Sequence, residues 1–272
     1  MISFVGAGPG APDLITVRGA QRLAAADVVV WASSLVPEAL LGHCRDGIEV
    51  HDSATMTLED VVGVYAAHPD ATPVVRLHSG DPSLYGAIGE QLDWCLAHHR
   101  SWEIVPGVSA VAAAAAAVGR ELTVPGVSQS LVLTRLAGRT SASMPAAEGV
   151  AAFASHGATM AVFLSGARPD ELQAELLAPG SSYSSDTPAA VVVRATWPDE
   201  EVVRTTVGEL AQAVRATGAT MTLLVLVGDA LADAPVLQRS HLYEPTYTTA
   251  YRLRSATGST EGRASARRQH RQ

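Results

Sequence analysis

Lysine is absent from this 272-residue chain, whose 19 basic residues are all arginine. A Walker A loop requires its lysine, and pyridoxal or other imine chemistry requires a lysine amine, so P-loop phosphoryl transfer and Schiff-base catalysis are excluded. Cysteine is nearly absent. Cys44 and Cys95 lie far apart without C-x-x-C or Cys/His ligand spacing, so neither a disulfide framework nor a metal site is indicated and both read as core residues. The start, MISFVGAGPG, lacks a basic leader, and no apolar run approaches the roughly 20 residues of a spanning helix. No membrane partner is therefore expected, and a cytoplasmic protein is. Of the charges that sum to −8, six arginines against one glutamate fall from Arg252 onward, which leaves the body more acidic still. Such a body makes a poor nucleic-acid surface, because phosphate contacts dominate that affinity. Residues 252–272 have hardly an apolar anchor and are expected to form a disordered basic tail.

What is present in quantity is a pattern of short β-branched runs alternating with alanine-rich stretches, as in α/β units with parallel strands buried on both faces. Ten strands are expected: residues 2–6, 27–32, 47–51, 73–78 and 102–105, then 130–135, 159–165, 189–195, 202–206 and 220–227. Pro125 and Gly126 read as a linker, which divides the chain into an N-terminal α/β domain, 1–120, and a C-terminal α/β domain, 127–240. The alanine-dense segment 108–119 is a strong helix former whose small side chains allow close packing on a sheet. Residues 140–149 carry no apolar period and read as a loop. A cleft between two such domains is a usual place for a small-molecule site.

Three loops carry the chemistry. ISFVGAGPGAPD runs an apolar strand into Gly6, Gly8 and Gly10, which let backbone approach a ligand closely, much as in a dinucleotide fingerprint. The second strand nevertheless ends in WASS, so the carboxylate that would hold a nicotinamide ribose is missing, and Asp52 after the third strand replaces it only with strain. RLHSGDPSLYG turns at Gly80, Asp81 and Pro82, with Asp81 alternatively a plain helix cap, ahead of a helix expected to turn Ala87, Ile88, Leu92 and Leu96 inward. VPGVSA places another glycine turn and a serine between strand and helix. All three lie after strands, so they are expected to face one sheet edge. His78 and Asp81 flank the second loop as candidate catalytic groups for proton handling, and Arg76, Arg120 and Arg135 are candidate forks for substrate carboxylates.

VGAGPGAPDLITVRG, ADVVVWASSLV, RLHSGDPSLYGAIGEQ and PGVSAVAAAAAAVGRELTVPGVSQSLVLTR together resemble the tetrapyrrole methylases, the class III S-adenosylmethionine methyltransferases, over roughly residues 1 to 250. Within the family, ASSLV is similar to the YAGSLV of enzymes acting on precorrin-4, where uroporphyrinogen enzymes tend to carry DRLV or DALV. Trp31, Ser33 and the stretch near Tyr251 depart from the pattern. The resemblance implies two αβα domains, each around a roughly five-stranded sheet, with S-adenosylmethionine in the cleft between them, S-adenosylhomocysteine as product, a polycarboxylate tetrapyrrole substrate and a homodimer. By motif position it implies cofactor contacts at Pro9, Ser79, Gly80, Asp81, Leu84, Ser109 and Ala110 in the first domain, and at Leu164, Ala195 and Thr220 in the second. The competing expectations are methylation at another ring carbon, a nicotinamide-dependent oxidoreductase, and a binding module without turnover.

Overall fold

The computed structural model describes residues 1–137, 144–233 and 240–254. Five strands form the first sheet, β1 (Ile2–Gly6), β2 (Val28–Trp31), β3 (Glu49–Asp52), β4 (Val74–His78) and β5 (Trp102–Val105), in the order β3-β2-β4-β1-β5. All are parallel. Side chains alternate across the strands. Ile2, Phe4, Val28 and Val30 pack towards α2 (Leu58–Ala67) and α3 (Gly89–Ala97), while Val5, Val29, Trp31 and Leu77 pack towards α1 (Val17–Ala24). Burial on both faces is why β1 and β2 read as apolar runs, while the edge strands β3 and β5 carry polar residues and are largely exposed. Helix α3 and the turn before it keep part of the expected face, with Ile88 and Leu92 packed on the core, and depart from it at Ala87 and Leu96. The helix begins at Gly89 and buries Gln91 and Cys95, because Gln91 accepts the buried Tyr65 hydroxyl at 2.8 Å, and Leu96 is left exposed.

The second sheet contains β6 (Leu131–Arg135), β7 (Thr159–Phe163), β8 (Pro188–Val193), β9 (Glu201–Thr206) and β10 (Leu223–Val227), in the order β6-β7-β10-β8-β9. All ten strands fall where the apolar runs put them, but the parallel expectation fails in this half. Only β6 and β7 run parallel; β10 is antiparallel to β7 and β8, and β9 to β8. The connection 194–200 is too short for a parallel crossover, which needs a dozen residues or more. One face of the sheet is covered by α5 (Val150–Ala154), α6 (Pro169–Leu176) and α7 (Leu210–Ala216).

The other face is covered by α4 (Ala110–Val118), the alanine-dense helix that sequence pattern assigns to the first domain. Val111, Ala114 and Val118 pack on Ala190, Val192, Leu224 and Leu226. By packing, the division between domains therefore falls between β5 and α4. The stretch just before the expected linker is tied down, with Leu122 and Val124 buried and Thr159 donating through Oγ1 to the Leu122 carbonyl at 2.8 Å, while Pro125 is half-buried and Gly126 exposed. Of the expected loop 140–149, residues 140–143 lie outside the described residues and Ala146–Glu148 form a 3-10 turn. Residues 255–272 of the basic tail also lie outside them. Both cysteines are free, Cys95 buried and Cys44 partly so. No helix among the described residues is long and apolar enough to cross a membrane.

Candidate active site

Because β4, β1 and β5 are neighbours and parallel, the loops that follow them emerge side by side at one edge. Carboxyl ends of parallel strands are where open α/β sheets bind ligands. The loops are joined through glycine. Gly8 N donates to the Gly80 carbonyl at 3.3 Å and Gly80 N to the Gly8 carbonyl at 2.8 Å, both residues holding positive φ. A Cβ on Gly107 would stand 2.1 Å from the Gly80 oxygen and 2.8 Å from Gly6 Cα, so neither backbone tolerates a side chain there. Asp81 locks the junction: Oδ2 accepts from Gly107 N at 2.9 Å, and Oδ1 accepts from Ser83 N at 2.8 Å and from the Ser83 hydroxyl. It caps this turn rather than a helix. Ser109 caps α4 by accepting from Ala112 N at 3.3 Å.

The facing wall comes from the second sheet. With β10 antiparallel to β7 and β8, its start lies beside their ends, which brings together Leu164–Gly166, Arg194–Trp197 and Thr220–Thr222. Arg194 N donates to the Thr222 carbonyl at 2.8 Å, and a Cβ on Gly166 would lie 2.9 Å from the Thr220 oxygen. The two walls touch. Ala11 N donates to Thr196 Oγ1 at 2.9 Å, Trp197 Nε1 donates to the Pro9 carbonyl at 3.1 Å, and the Tyr85 and Phe163 rings lie 4.9 Å apart. Six of the seven described non-glycine residues with positive φ, Tyr85, Ala87, Leu164, Arg194, Thr196 and Thr222, belong to these segments. Such strain persists where surrounding structure over-determines it, characteristically at ligand sites. Leu164 is also 67% exposed, unusual for a leucine at a strand end.

The expected cofactor contacts thus lie on two walls: Pro9, Ser79, Gly80, Asp81, Leu84, Ser109 and Ala110 on one, Leu164, Ala195 and Thr220 on the other. The arginines are not brought together. Arg76 is turned inward and donates to Ser53 Oγ at 2.8 Å and to the Val30 carbonyl. Arg120 follows α4 at the end away from Ser109, and pairs with Asp233. Only Arg135 ends a strand at the cleft, in register with Phe163, and its charge is felt by Tyr85. His78 is buried with Nε2 unpartnered. Burial lowers its pKa to about 3, the Arg76 charge acts the same way, and a hydrogen bond to the Gly86 backbone opposes both. For Asp81, burial pushes the carboxyl up, but the Ser83 hydroxyl and the amides of Gly107 and Ser83 more than offset it, leaving its pKa below the ordinary value.

The nicotinamide alternative loses its geometry. Strand β4 stands between β1 and β2, so the end of β2 is not beside the glycine loop, and Asp52 is engaged by Ser33 N at 3.1 Å and Ala54 N at 2.9 Å. A ribose carboxylate is therefore not where a dinucleotide needs it. Among the described residues no three His, Cys, Asp or Glu side chains could hold a metal ion. Sequence reasoning did not single out Trp197, Thr196 or Phe163. Gly10 bears on Trp197 only once the fold is known, since a Cβ there would fall 2.3 Å from the indole.

The family model for Tetrapyrrole (Corrin/Porphyrin) Methylases matches residues 1–211. A precorrin-4 C(11)-methyltransferase of Rhodococcus erythropolis is 46% identical over 246 residues, 90% of this chain and 97% of that one. The X-ray structure of a cobalt precorrin-4 methyltransferase superposes with a TM-score of 0.80 at 44% identity, covering 85% of this chain and 95% of that one. A uroporphyrin-III C-methyltransferase from Thermus thermophilus, solved with S-adenosylhomocysteine, gives a TM-score of 0.68 at 25% identity, covering 85% and 98%. With the fold, the glycine junction and these likenesses in agreement, the chain belongs to the tetrapyrrole methylases.

Proposed function

We propose that this protein transfers a methyl group from S-adenosylmethionine to carbon 11 of precorrin-4 or cobalt-precorrin-4, giving the precorrin-5 level product and S-adenosylhomocysteine in cobalamin biosynthesis. The observation that carries this reading is the cleft between the glycine junction of the first sheet and the strained edge of the second, in a chain 46% identical to a precorrin-4 enzyme over nearly its whole length. The residues present fit the cofactor. Both walls offer backbone and small side chains, and each carries a buried polar atom without a partner, His78 Nε2 and Ser165 Oγ. Pro9, Ser79, Gly80, Asp81, Leu84, Ser109 and Ala110 would hold it from one side and Leu164, Ala195 and Thr220 from the other. When bound, it supplies an electrophilic methyl group on a sulfonium.

No protein nucleophile is needed, so the chain's task is to align the reactants and exclude water, worth at best about 7 to 11 kcal/mol of the barrier. Asp81 serves by tying loops. His78, neutral at physiological pH and with a pKa of about 3, is a weak base and serves by holding its loop through Gly86. Arg135 at the rim meets a substrate carboxylate. Arg76 and Arg120, tied elsewhere, are left with structural work. The family resemblance supports a homodimer working in the cytoplasm.

A methyl-transfer assay with labelled S-adenosylmethionine, offering precorrin-4 and cobalt-precorrin-4 separately under anaerobic conditions, tests the proposal when NMR locates the new methyl. Label at carbon 11 is expected. Label at another carbon overturns the ring position but keeps the class.

A further inference from the structure

The loop Ala7–Ala11 is held from two sides. From its own sheet, Ala7 N donates to the His78 carbonyl at 2.8 Å and Gly8 pairs with Gly80. From the other domain, Thr196 Oγ1 accepts from Ala11 N at 2.9 Å and Trp197 Nε1 donates to the Pro9 carbonyl at 3.1 Å. The indole lies directly over Gly10, where an added Cβ would fall 2.3 Å from Cδ1 and 2.5 Å from Nε1. Its pose is fixed from behind. The Arg194 guanidinium covers the ring at 4.1 Å from the centroid and is itself held by Asp199 Oδ1 at 2.7 Å. Thr196 N donates to Glu200 Oε2 at 2.6 Å, and Glu200 N to the Trp197 carbonyl at 3.0 Å. Arg194 and Thr196 both hold positive φ, so this connection between β8 and β9 is a strained, fully braced turn.

We propose that Trp197 is a positioning residue for the cofactor: it clamps the tip of the first glycine loop from the opposite domain, fixing both the shape of that loop and the width of the cleft. The proposal rests on the cofactor reading above, since loop Ala7–Ala11 is one of the walls. An indole suits the place because its Cδ1–Nε1 edge packs against a residue without a side chain while its single N–H reaches a carbonyl.

The test compares wild type with Trp197→Phe, which keeps a ring and loses the N–H, and with Thr196→Val, which keeps shape and loses the acceptor. Amide exchange of residues 7–11 in the ligand-free protein is read beside calorimetric affinity for S-adenosylhomocysteine. Each variant is expected to speed exchange in the loop and to weaken the affinity about threefold to tenfold, the size of one neutral hydrogen bond. In turnover, KM for S-adenosylmethionine should rise by the same factor with kcat within about twofold. Unchanged exchange and unchanged affinity in both variants, with wild type binding normally, overturn the clamp. Wild type that fails to bind S-adenosylhomocysteine overturns the cofactor reading instead, while the exchange rates of the ligand-free variants still decide whether Trp197 holds the loop.

Discussion

Asp81→Asn separates a loop tie from a chemical base. The carboxylate spends one oxygen on Gly107 and the other on Ser83, so it joins the loops after β4 and β5. Asparagine keeps a single acceptor. Whichever way its amide turns, an N–H donor then faces either the Gly107 amide or the Ser83 amide. Hydrogen bonds to charged groups contribute about 1.5 to 3 kcal/mol each. Asp81 is partly solvent-exposed, so the lower end applies, about 1.5 kcal/mol, or roughly tenfold in an equilibrium constant. The expected result is a roughly tenfold weaker S-adenosylhomocysteine affinity by calorimetry, with a urea midpoint lowered to match. The pH dependence has a defined sign. A carboxyl held below its ordinary pKa adds stability that is complete above that ordinary value and lost only as pH falls through the lowered one, so wild-type affinity should stay level from neutrality to about pH 5. If Asp81→Asn left affinity and stability intact while kcat fell a hundredfold or more, Asp81 would be acting on substrate and the tie would be wrong.

Further outcomes are expected at other positions. His78 is neutral in the folded protein, so between its ordinary value of 6.5 and its folded value of about 3 the unfolded chain binds the extra proton and stability falls as pH falls. Comparing urea midpoints at pH 7 and pH 5, wild type should lose about 2 kcal/mol more than His78→Gln; equal losses would show that the ring is not buried neutral. Ala114→Leu forces a larger side chain between α4 and the second sheet and should cost about 1 to 3 kcal/mol in denaturant unfolding, whereas no change would mean that this interface is loose. Arg135→Ala should raise KM for the tetrapyrrole with kcat retained, while Arg120→Ala should leave that KM alone; the reverse pattern would move the substrate to the far end of α4.

How much was legible in the sequence differed by kind of feature. Strand positions were plain because Val28–Trp31 and Leu223–Val227 are apolar throughout, as burial on both faces demands. Strand direction was not, since hydrophobicity carries no sign; only the shortness of the connection after β8 pointed to a hairpin. The partner of α4 was hidden for a related reason. A helix of alanines is apolar all round and offers no face that selects a sheet. Glycine loops announced themselves, and Asp81 could be placed among them. Arg76 was misleading because it stands between Val75 and Leu77 in a strand covered on both faces, where a polar side chain turns inward whichever way it points. Trp197 was beyond reach, since its partner Pro9 lies 188 positions away in the other domain.

The strand order explains why the second domain is needed at all. In the doubly wound order 3-2-1-4-5-6 the crevice opens beside strand 1, where the strand order reverses, and one domain can hold a nucleotide alone. Here β4 lies between β1 and β2, and the paired bonds of Gly8 and Gly80 close the gap between the loops that follow β1 and β4. Contacts between loops consume the edge itself, with Gly6, Gly80 and Gly107 so close that no Cβ fits at two of them. A ligand can then approach only from above the loops, and a surface open on that side leaves it half solvated. The wall that covers it must come from elsewhere in the chain. The antiparallel arrangement of β10 supplies one, because it gathers the ends of β7 and β8 and its own beginning on a single side, from which Thr196, Trp197 and Phe163 reach across to Ala11, Pro9 and Tyr85. The departure from parallel order in the second half is thus what completes the cleft.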